Sequence, residues 1–141
     1  MMNLLNTNIY KHDTDVDKSH KLNTTELSNW LMQLRFTKEE LKSLIELCSN
    51  SLNKKNINDE EILLEFEKKN QENDHLLSIL HKYMSIREHI AECEDTQCDT
   101  TYLNEHKKHK ETYLQHMDSY RKLKDQFYVD VHKQLNLNNN C

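Results

Sequence analysis

The sequence predicts an all-α fold, an antiparallel three-helix bundle or coiled coil with long helices and a flexible N-terminal arm. Three observations predict it. The 141 residues contain no glycine and no proline, although these two residues together make up about 12% of an average protein. Apolar residues recur at helical spacing over three long segments. The two breaks between the segments are short, and short connections make consecutive helices antiparallel neighbours.

The first helix is predicted at about residues 24–53. Asn23 can cap its amino end, and Glu26, three residues later, can return a hydrogen bond to the cap amide. A row of apolar side chains then recurs every seven residues, and its members are Leu27, Leu34, Leu41 and Cys48. This spacing is typical of a helix that packs along a partner helix.

The second helix is predicted at about residues 59–93 and the third at about residues 100–135, beginning near Asp99. Each carries a stripe that alternates steps of four and three residues, which is the repeat of one helix face. The stripe of the second helix is Ile62, Phe66, Lys69, Asn73, Leu76, Leu80, Tyr83, Arg87 and Ile90. The stripe of the third helix is Tyr102, His106, His109, Tyr113, His116, Tyr120, Leu123, Phe127, Val131 and Leu135.

The two ends of the chain lack this periodicity. Residues 1–22 are polar and rich in asparagine, so we predict a disordered N-terminal arm there. The bundle itself is expected to occupy residues 23–136. Residues 137–141 are expected to form a frayed tail.

Antiparallel folding about residues 55 and 96 aligns one level at which the apolar stripe of every helix is interrupted. The polar residues at or beside this level include Lys38, Asn73, Asp74 and Tyr120. We predict a polar layer in which the Tyr120 hydroxyl bonds to Asn73 and Lys38 lies near Asp74, because polar core positions can fix the register of a bundle. Replacing Asn73 with leucine is then expected to raise the melting temperature. The alternative is that these positions simply face water.

Histidines and cysteines gather near the predicted second turn, and the candidate ligands among them are His89, Cys93, Cys98, His106 and His109. Imidazole and thiolate groups together can hold zinc. Neither the His106-x-x-His109 spacing nor the Cys93-x4-Cys98 spacing is that of a common zinc motif, so no metal or other cofactor is predicted by default. No set of residues has the framework of a known catalytic site, so we expect no catalytic residue and no enzyme activity.

The charge balance and the apolar segments restrict the partners. Nineteen basic and 24 acidic side chains give a net charge of −5, which argues against nucleic-acid binding because that requires a basic face. No segment approaches the roughly 20 apolar residues of a membrane span, and the opening residues do not resemble a secretory signal. Four cysteines are too few for a disulfide scaffold. We therefore predict reduced cysteines, a cytoplasmic location and no membrane partner.

Two stretches resemble small uncharacterised helical proteins of flavobacteria-like bacteria. They are residues 27–40, LSNWLMQLRFTKEE, and residues 120–127, YRKLKDQF. The abundance of asparagine and lysine is similar to that of proteins from AT-rich genomes. The resemblance implies a cytoplasmic bacterial coiled-coil protein, and it implies no activity or catalytic residue.

The apolar stripes are wider than the seam of a three-helix bundle requires. The residues that widen them include Leu63, Leu77, Met84, Leu103, Leu114 and Met117. Surplus apolar surface is typical of proteins that associate. We therefore predict a non-enzymatic module for interaction with a protein partner or for self-association. The alternative is a metal- or pH-responsive regulatory bundle that uses the histidine and cysteine cluster.

Overall fold

In the computed structural model, which describes residues 7–51 and 57–139, the chain forms a bundle of three long helices. Helix α1 is Asp15–Ser51, α2 is Ile57–Arg87 and α3 is Thr96–Asn139. A short 3-10 helix at Ile90–Glu92 lies between α2 and α3, and no strand occurs within the described residues. The predicted all-α three-helix bundle is confirmed.

Helix α1 begins earlier than predicted because a different capping box precedes it. The Oγ1 atom of Thr14 accepts the N–H of Asp17 at 3.1 Å, and the Asp17 carboxylate accepts the N–H of Thr14 at 3.1 Å. This reciprocal pair satisfies two backbone amides at the start of the helix. Asn23 therefore lies inside α1, and the cap predicted at Asn23 is wrong.

The predicted disordered arm at residues 1–22 is wrong from Asp15 onward. The side chain of His20, in the added part of α1, is buried in the bundle. Its burial ties the first two turns of the helix to the neighbouring helices, which a polar and aperiodic sequence does not reveal. Residues 1–6 of the predicted arm lie outside the described residues.

Helix α2 ends at Arg87 rather than at the predicted residue 93. Beyond Arg87, backbone N–H groups bond to carbonyls three residues back, as His89 does to Ile86 at 3.1 Å. This is the bonding of a 3-10 helix, which is used in short pieces. The chain therefore turns towards α3 before the apolar stripe of the second helix is complete.

Helix α3 begins before the predicted start at residue 100 because Asp95 caps it. The Asp95 carboxylate accepts the N–H of Cys98 at 2.7 Å, which is the arrangement of an N-cap residue. A cap of this kind depends on three or four local residues. The heptad pattern, which needs several turns, does not locate it.

At the opposite side of the bundle, α2 begins earlier and α3 ends later than predicted. Helix α3 continues to Asn139, so the frayed tail predicted at residues 137–141 is wrong as far as Asn139. The last two residues of that tail lie outside the described residues. The same holds for the predicted end of the first helix at residue 53.

The heptad row of α1 forms the centre of the core. Its four members, Leu27, Leu34, Leu41 and Cys48, are at most 2% exposed. Full burial of a leucine contributes about 1.5–3 kcal/mol to stability, so this row is a major source of cohesion. Phe66 of α2 packs edge-on against Phe127 of α3 with ring centroids 5.4 Å apart, as the antiparallel register predicts.

The three helices are not equally close to one another. Helices α1 and α2 pack along their length, whereas α3 approaches α1 least closely. An open cleft of about 530 Å³ lies between α1 and α3, and Phe36, Leu114 and Met117 are among the residues that line it. The core is therefore closed between α1 and α2 and partly open on the α1–α3 side.

Candidate functional site

A buried arginine joins α1 to α2 near the α2–α3 connection. Arg87 is 1% exposed. Its Nη2 atom donates to the carbonyl oxygen of His20 and to Oγ1 of Thr24, both at 2.7 Å, and its Nη1 atom donates to the Tyr83 hydroxyl at 2.9 Å. Among the residues that the structure describes, no carboxylate forms an ion pair with this guanidinium. The cation is therefore held by uncharged oxygen atoms.

A chain of hydrogen bonds continues from Arg87 to α3. Because Arg87 can only donate, the Tyr83 hydroxyl accepts the hydrogen bond from Arg87 and donates its own O–H to Nδ1 of His106 at 3.0 Å. The Nε2–H of His106 then donates to the Glu26 carboxylate at 2.8 Å, which also accepts from Lys110 at 3.1 Å. These bonds join all three helices and select the neutral Nε2–H tautomer of His106. We call Thr24, Glu26, Tyr83, Arg87 and His106 the Arg87 network.

Burial governs the ionisation of the Arg87 network. It lowers the pKa of His106, and this effect outweighs the hydrogen bond to Glu26 while the charge of Arg87 lowers the pKa further. For Glu26, burial raises the pKa, but the hydrogen bonds from His106 and Lys110 lower it overall. At neutral pH a neutral imidazole therefore lies between an arginine cation and a glutamate anion.

We expect the bundle to lose stability as the pH falls from about 7.5 to about 5.5. Burial lowers the pKa of both His106 and His116 in the folded state, whereas a histidine in the unfolded chain has a pKa of about 6.5. Between the folded and unfolded values the unfolded chain binds more protons. The stabilisation is therefore complete above about pH 6.5 and is lost below it. Urea unfolding at the two pH values measures the loss.

A paired set of variants assigns this pH dependence to the buried histidines. The double variant His106→Gln/His116→Gln should lose less stability between the two pH values than the natural protein does. The variant His81→Gln, at an exposed position of α2, is the control and should retain the natural dependence. A natural protein with the same unfolding free energy at both pH values would contradict the expectation.

The polar layer in the middle of the bundle has partners that differ from the predicted ones. Asn73 is fully buried. Its amide donates to the backbone carbonyl of Leu34 at 2.9 Å, and its oxygen accepts the Nε2–H of His116 at 2.8 Å. The predicted bond between Tyr120 and Asn73 is wrong, because the Tyr120 hydroxyl donates to the carboxylate of Glu40.

The other predicted pair of this layer lies on the surface. Lys38 and Asp74 are 3.0 Å apart, with about half of each side chain exposed, and such exposed pairs contribute little to stability. Lys124 donates to the same Glu40 carboxylate that accepts from Tyr120, at 2.8 Å. Burial and the neighbouring Glu40 raise the pKa of Tyr120. The layer therefore has a buried part around Asn73 and a charged rim.

The two cysteines among the candidate metal ligands are bonded to each other. A disulfide joins Cys93 to Cys98 across the α2–α3 connection, with Cα atoms 5.5 Å apart. The prediction of reduced cysteines is wrong for this pair. Because a metal binds the thiolate form, the disulfide removes both residues as ligands.

The three candidate histidines make separate contacts and do not form one site. His89 is exposed and lies 3.4 Å from the Glu92 carboxylate. His106 belongs to the Arg87 network, and the ring of His109 packs against Tyr83 with centroids 4.3 Å apart. Within the described residues, no group of three histidine, cysteine, aspartate or glutamate side chains is placed to hold a metal ion.

Large apolar side chains are exposed along the side of the bundle where α1 lies beside α3. Phe36 is 64% exposed and Leu114 is 53% exposed, and both line the open cleft. Steps of four, seven, eleven or fourteen residues return to nearly the same side of a helix. Such steps place four further exposed residues on these two helix sides, namely Met32, Leu47, Tyr128 and Leu135. We call the six residues the α1–α3 strip.

The sequence prediction does not include the Arg87 network, although one signal for it is present. Arg87 occupies a position in the apolar stripe of the second helix. A charged residue at such a position must either leave the core or find several hydrogen-bond partners there. Thr24 and Glu26, the α1 members of the network, carry no comparable signal. The sequence predicts them in the first turn of a helix that begins at about residue 24, whereas α1 begins at Asp15.

The chain matches no protein-family model, no curated protein and no solved structure. Within the described part of the chain, no helix contains a segment both long and apolar enough to cross a membrane. Its function is therefore inferred from the α1–α3 strip and the Arg87 network.

Proposed function

We propose that this chain is a non-enzymatic helical module for protein interaction and that its α1–α3 strip binds a second copy of the chain. The observation that carries the proposal is the exposure of Phe36 and Leu114, which line the α1–α3 cleft together with charged residues such as Glu40 and Lys124. The other four side chains of the strip are exposed at helical steps from these two. Exposed apolar patches rimmed by polar residues are typical of interaction sites. The heptad row of α1 and its partners form a buried core without these six side chains, so the strip is free to serve association.

The size of the strip is suitable for a dimer. From Leu114 to Leu135 it extends about 31 Å along α3 at 1.5 Å per residue. Two helices side by side are about 20 Å wide, so the whole face that holds the strip, with its charged residues, measures about 600 Å² per copy, against the roughly 800 Å² per partner of a standard interface. A patch that covers its own counterpart produces a two-fold dimer, which is the commonest oligomer.

Size-exclusion chromatography with light scattering tests the proposal. Across micromolar concentrations we expect a mass that rises towards twice the 17.0 kDa of the chain. A mass of one chain throughout that range would overturn the proposal. The measurement needs no knowledge of any other partner.

A cytoplasmic location without nucleic-acid or membrane partners is part of the proposal. The net charge of −5 disfavours both nucleic acid and anionic lipid. Disulfides are rare in that compartment, so finding the Cys93–Cys98 bond in protein taken from cells under thiol-blocking conditions would contradict this location. Association does not depend on that pair, because Leu114 lies about 24 Å along α3 from Cys98 at 1.5 Å per residue.

A second candidate function is a response to protons, and the position of His106 favours it. Trp30, the one tryptophan of the chain, stacks on the His106 ring with centroids 4.8 Å apart. Protonation of His106 would place a second cation beside Arg87 and break the bond that His106 accepts from Tyr83. A fluorescence titration of Trp30 tests the candidate, because an imidazolium in contact with an indole quenches its emission. Because burial lowers the pKa of His106, the titration runs from neutral pH down to the onset of acid unfolding, and no change in emission over that whole range would overturn the candidate.

A further inference from the structure

One row of side chains on α3 lies outside the core and repeats every seven residues. Its members are Leu114, Arg121, Tyr128 and Leu135. The three apolar members are each more than half exposed. The Arg121 side chain is 68% exposed and forms an ion pair with Asp118 of the same helix, which leaves the outer face of its guanidinium open to a partner. A seven-residue repeat is the spacing with which one helix packs along another. Helix α3 therefore carries a second packing row, in addition to the row that faces α1 and α2.

The order of residues in this row distinguishes between the two ways of pairing it with its copy. Parallel pairing places Arg121 beside Arg121 of the second copy, where like charges repel. Antiparallel pairing places Leu114 opposite Leu135 of the second copy and Arg121 opposite Tyr128 of the second copy. The two-fold symmetry repeats both contacts, so the dimer contains each of them twice. An arginine over a tyrosine ring is a favourable cation–π contact.

We propose, resting on the proposed function, that two copies dock with their α3 helices antiparallel, about a two-fold axis that passes between Lys124 and Asp125. Phe36 of α1 lines the same cleft as Leu114. In this arrangement it contacts helix α3 of the second copy from the α1 side. The surface thus selects a second copy of this chain in one orientation.

A charge exchange within the row tests the orientation. Arg121→Glu should weaken dimerisation about tenfold, because both cation–π contacts of the dimer are lost. Arg121→Glu/Tyr128→Arg should restore most of the affinity, because glutamate then meets arginine across the axis. Residues 121 and 128 are seven apart on one helix and do not touch each other, so rescue requires contact between copies. Arg35→Glu, the same charge change at an exposed position of α1, is the control and should leave the affinity unchanged.

Spin labels on α3 give an independent measurement of the orientation. In an antiparallel pair, the axial distance between equivalent labels grows by about 3 Å for each residue from the axis. Labels at Gln126 should therefore lie close together, and labels at Glu111 should lie about 40 Å apart. The labelling uses a Cys141→Ser background, since Cys48 is buried and the other two cysteines form the disulfide.

The outcomes separate this inference from the function on which it rests. A dimer with short distances at both labelled positions would be parallel, and it would overturn the antiparallel inference while leaving the proposed self-association intact. A dimer that Arg121→Glu does not weaken, or that the double variant does not restore, would also overturn the inference. A natural chain that stays monomeric would instead overturn the proposed function.

Discussion

Replacing Arg87 with methionine is expected to lower the free energy of unfolding by about 3 kcal/mol. Methionine fills much of the same space, so the loss reports the hydrogen bonds rather than a cavity. The guanidinium makes charge-assisted bonds to His20, Thr24 and Tyr83, and each such bond contributes about 1.5–3 kcal/mol. The cost of burying the cation offsets part of that sum.

Urea unfolding followed by circular dichroism measures this loss. Arg87→Lys should lose nearly as much as Arg87→Met, because one ammonium group cannot reach acceptors on both α1 and α2 with the geometry of a guanidinium. The control is Arg35→Met, which removes an exposed arginine of α1 and should change stability by less than about 0.5 kcal/mol. An Arg87→Met protein as stable as the natural one would show that burial of the cation cancels its hydrogen bonds.

Replacing Asn73 with leucine is expected to lower the free energy of unfolding by about 2 kcal/mol. The sequence alone leads to the opposite sign, since a leucine in a polar layer of a bundle usually stabilises it. The structure reverses the expectation because the Asn73 oxygen is the acceptor for His116, which is itself buried. Leucine would leave the His116 N–H without a partner, and an unpaired buried donor costs about 1–3 kcal/mol.

A second substitution separates the lost hydrogen bond from the change of shape. In Asn73→Leu/His116→Leu neither polar group is left, so the double variant should recover at least half of the loss caused by Asn73→Leu alone. Thermal unfolding of the single and double variants at neutral pH gives the comparison. If Asn73→Leu alone raised the melting temperature, the bond to His116 would not stabilise the bundle.

The interiors of the three helices could be predicted from the sequence, but their ends could not. Periodicity accumulates over several turns, so Leu27, Leu34 and Leu41 locate the buried face of α1 without ambiguity. A cap depends on one side chain and two amides, and Thr14 with Asp17 is as good a capping box as Asn23 with Glu26. The helix begins at the Thr14 capping box because the turns between it and Asn23 pack against the other helices, as the buried His20 shows.

In the candidate site, the sequence predicts which residues lie at the same level of the bundle, but not which of them bond to each other. The register places Lys38 level with Asp74, and the structure brings them together. It does not choose between His116 and Tyr120 as the partner of Asn73, because these two residues lie one helical turn apart on the same face of α3. A shift of about 5.4 Å along α3 exchanges them. Likewise, the pairing of Cys93 with Cys98 depends on the path of a turn, which periodicity does not describe.

Sedimentation equilibrium of the natural protein and of Phe36→Glu/Leu114→Glu tests most directly whether the α1–α3 strip is an interface. Both side chains are exposed, so the variant should keep the helix content and melting behaviour of the bundle. Leu64→Glu/Ile86→Glu, at two exposed positions on α2, adds the same two charges and is the control. We expect dimers of the natural chain and of this control and a monomer of Phe36→Glu/Leu114→Glu. Equal masses for the natural chain and a folded Phe36→Glu/Leu114→Glu would contradict the proposed function.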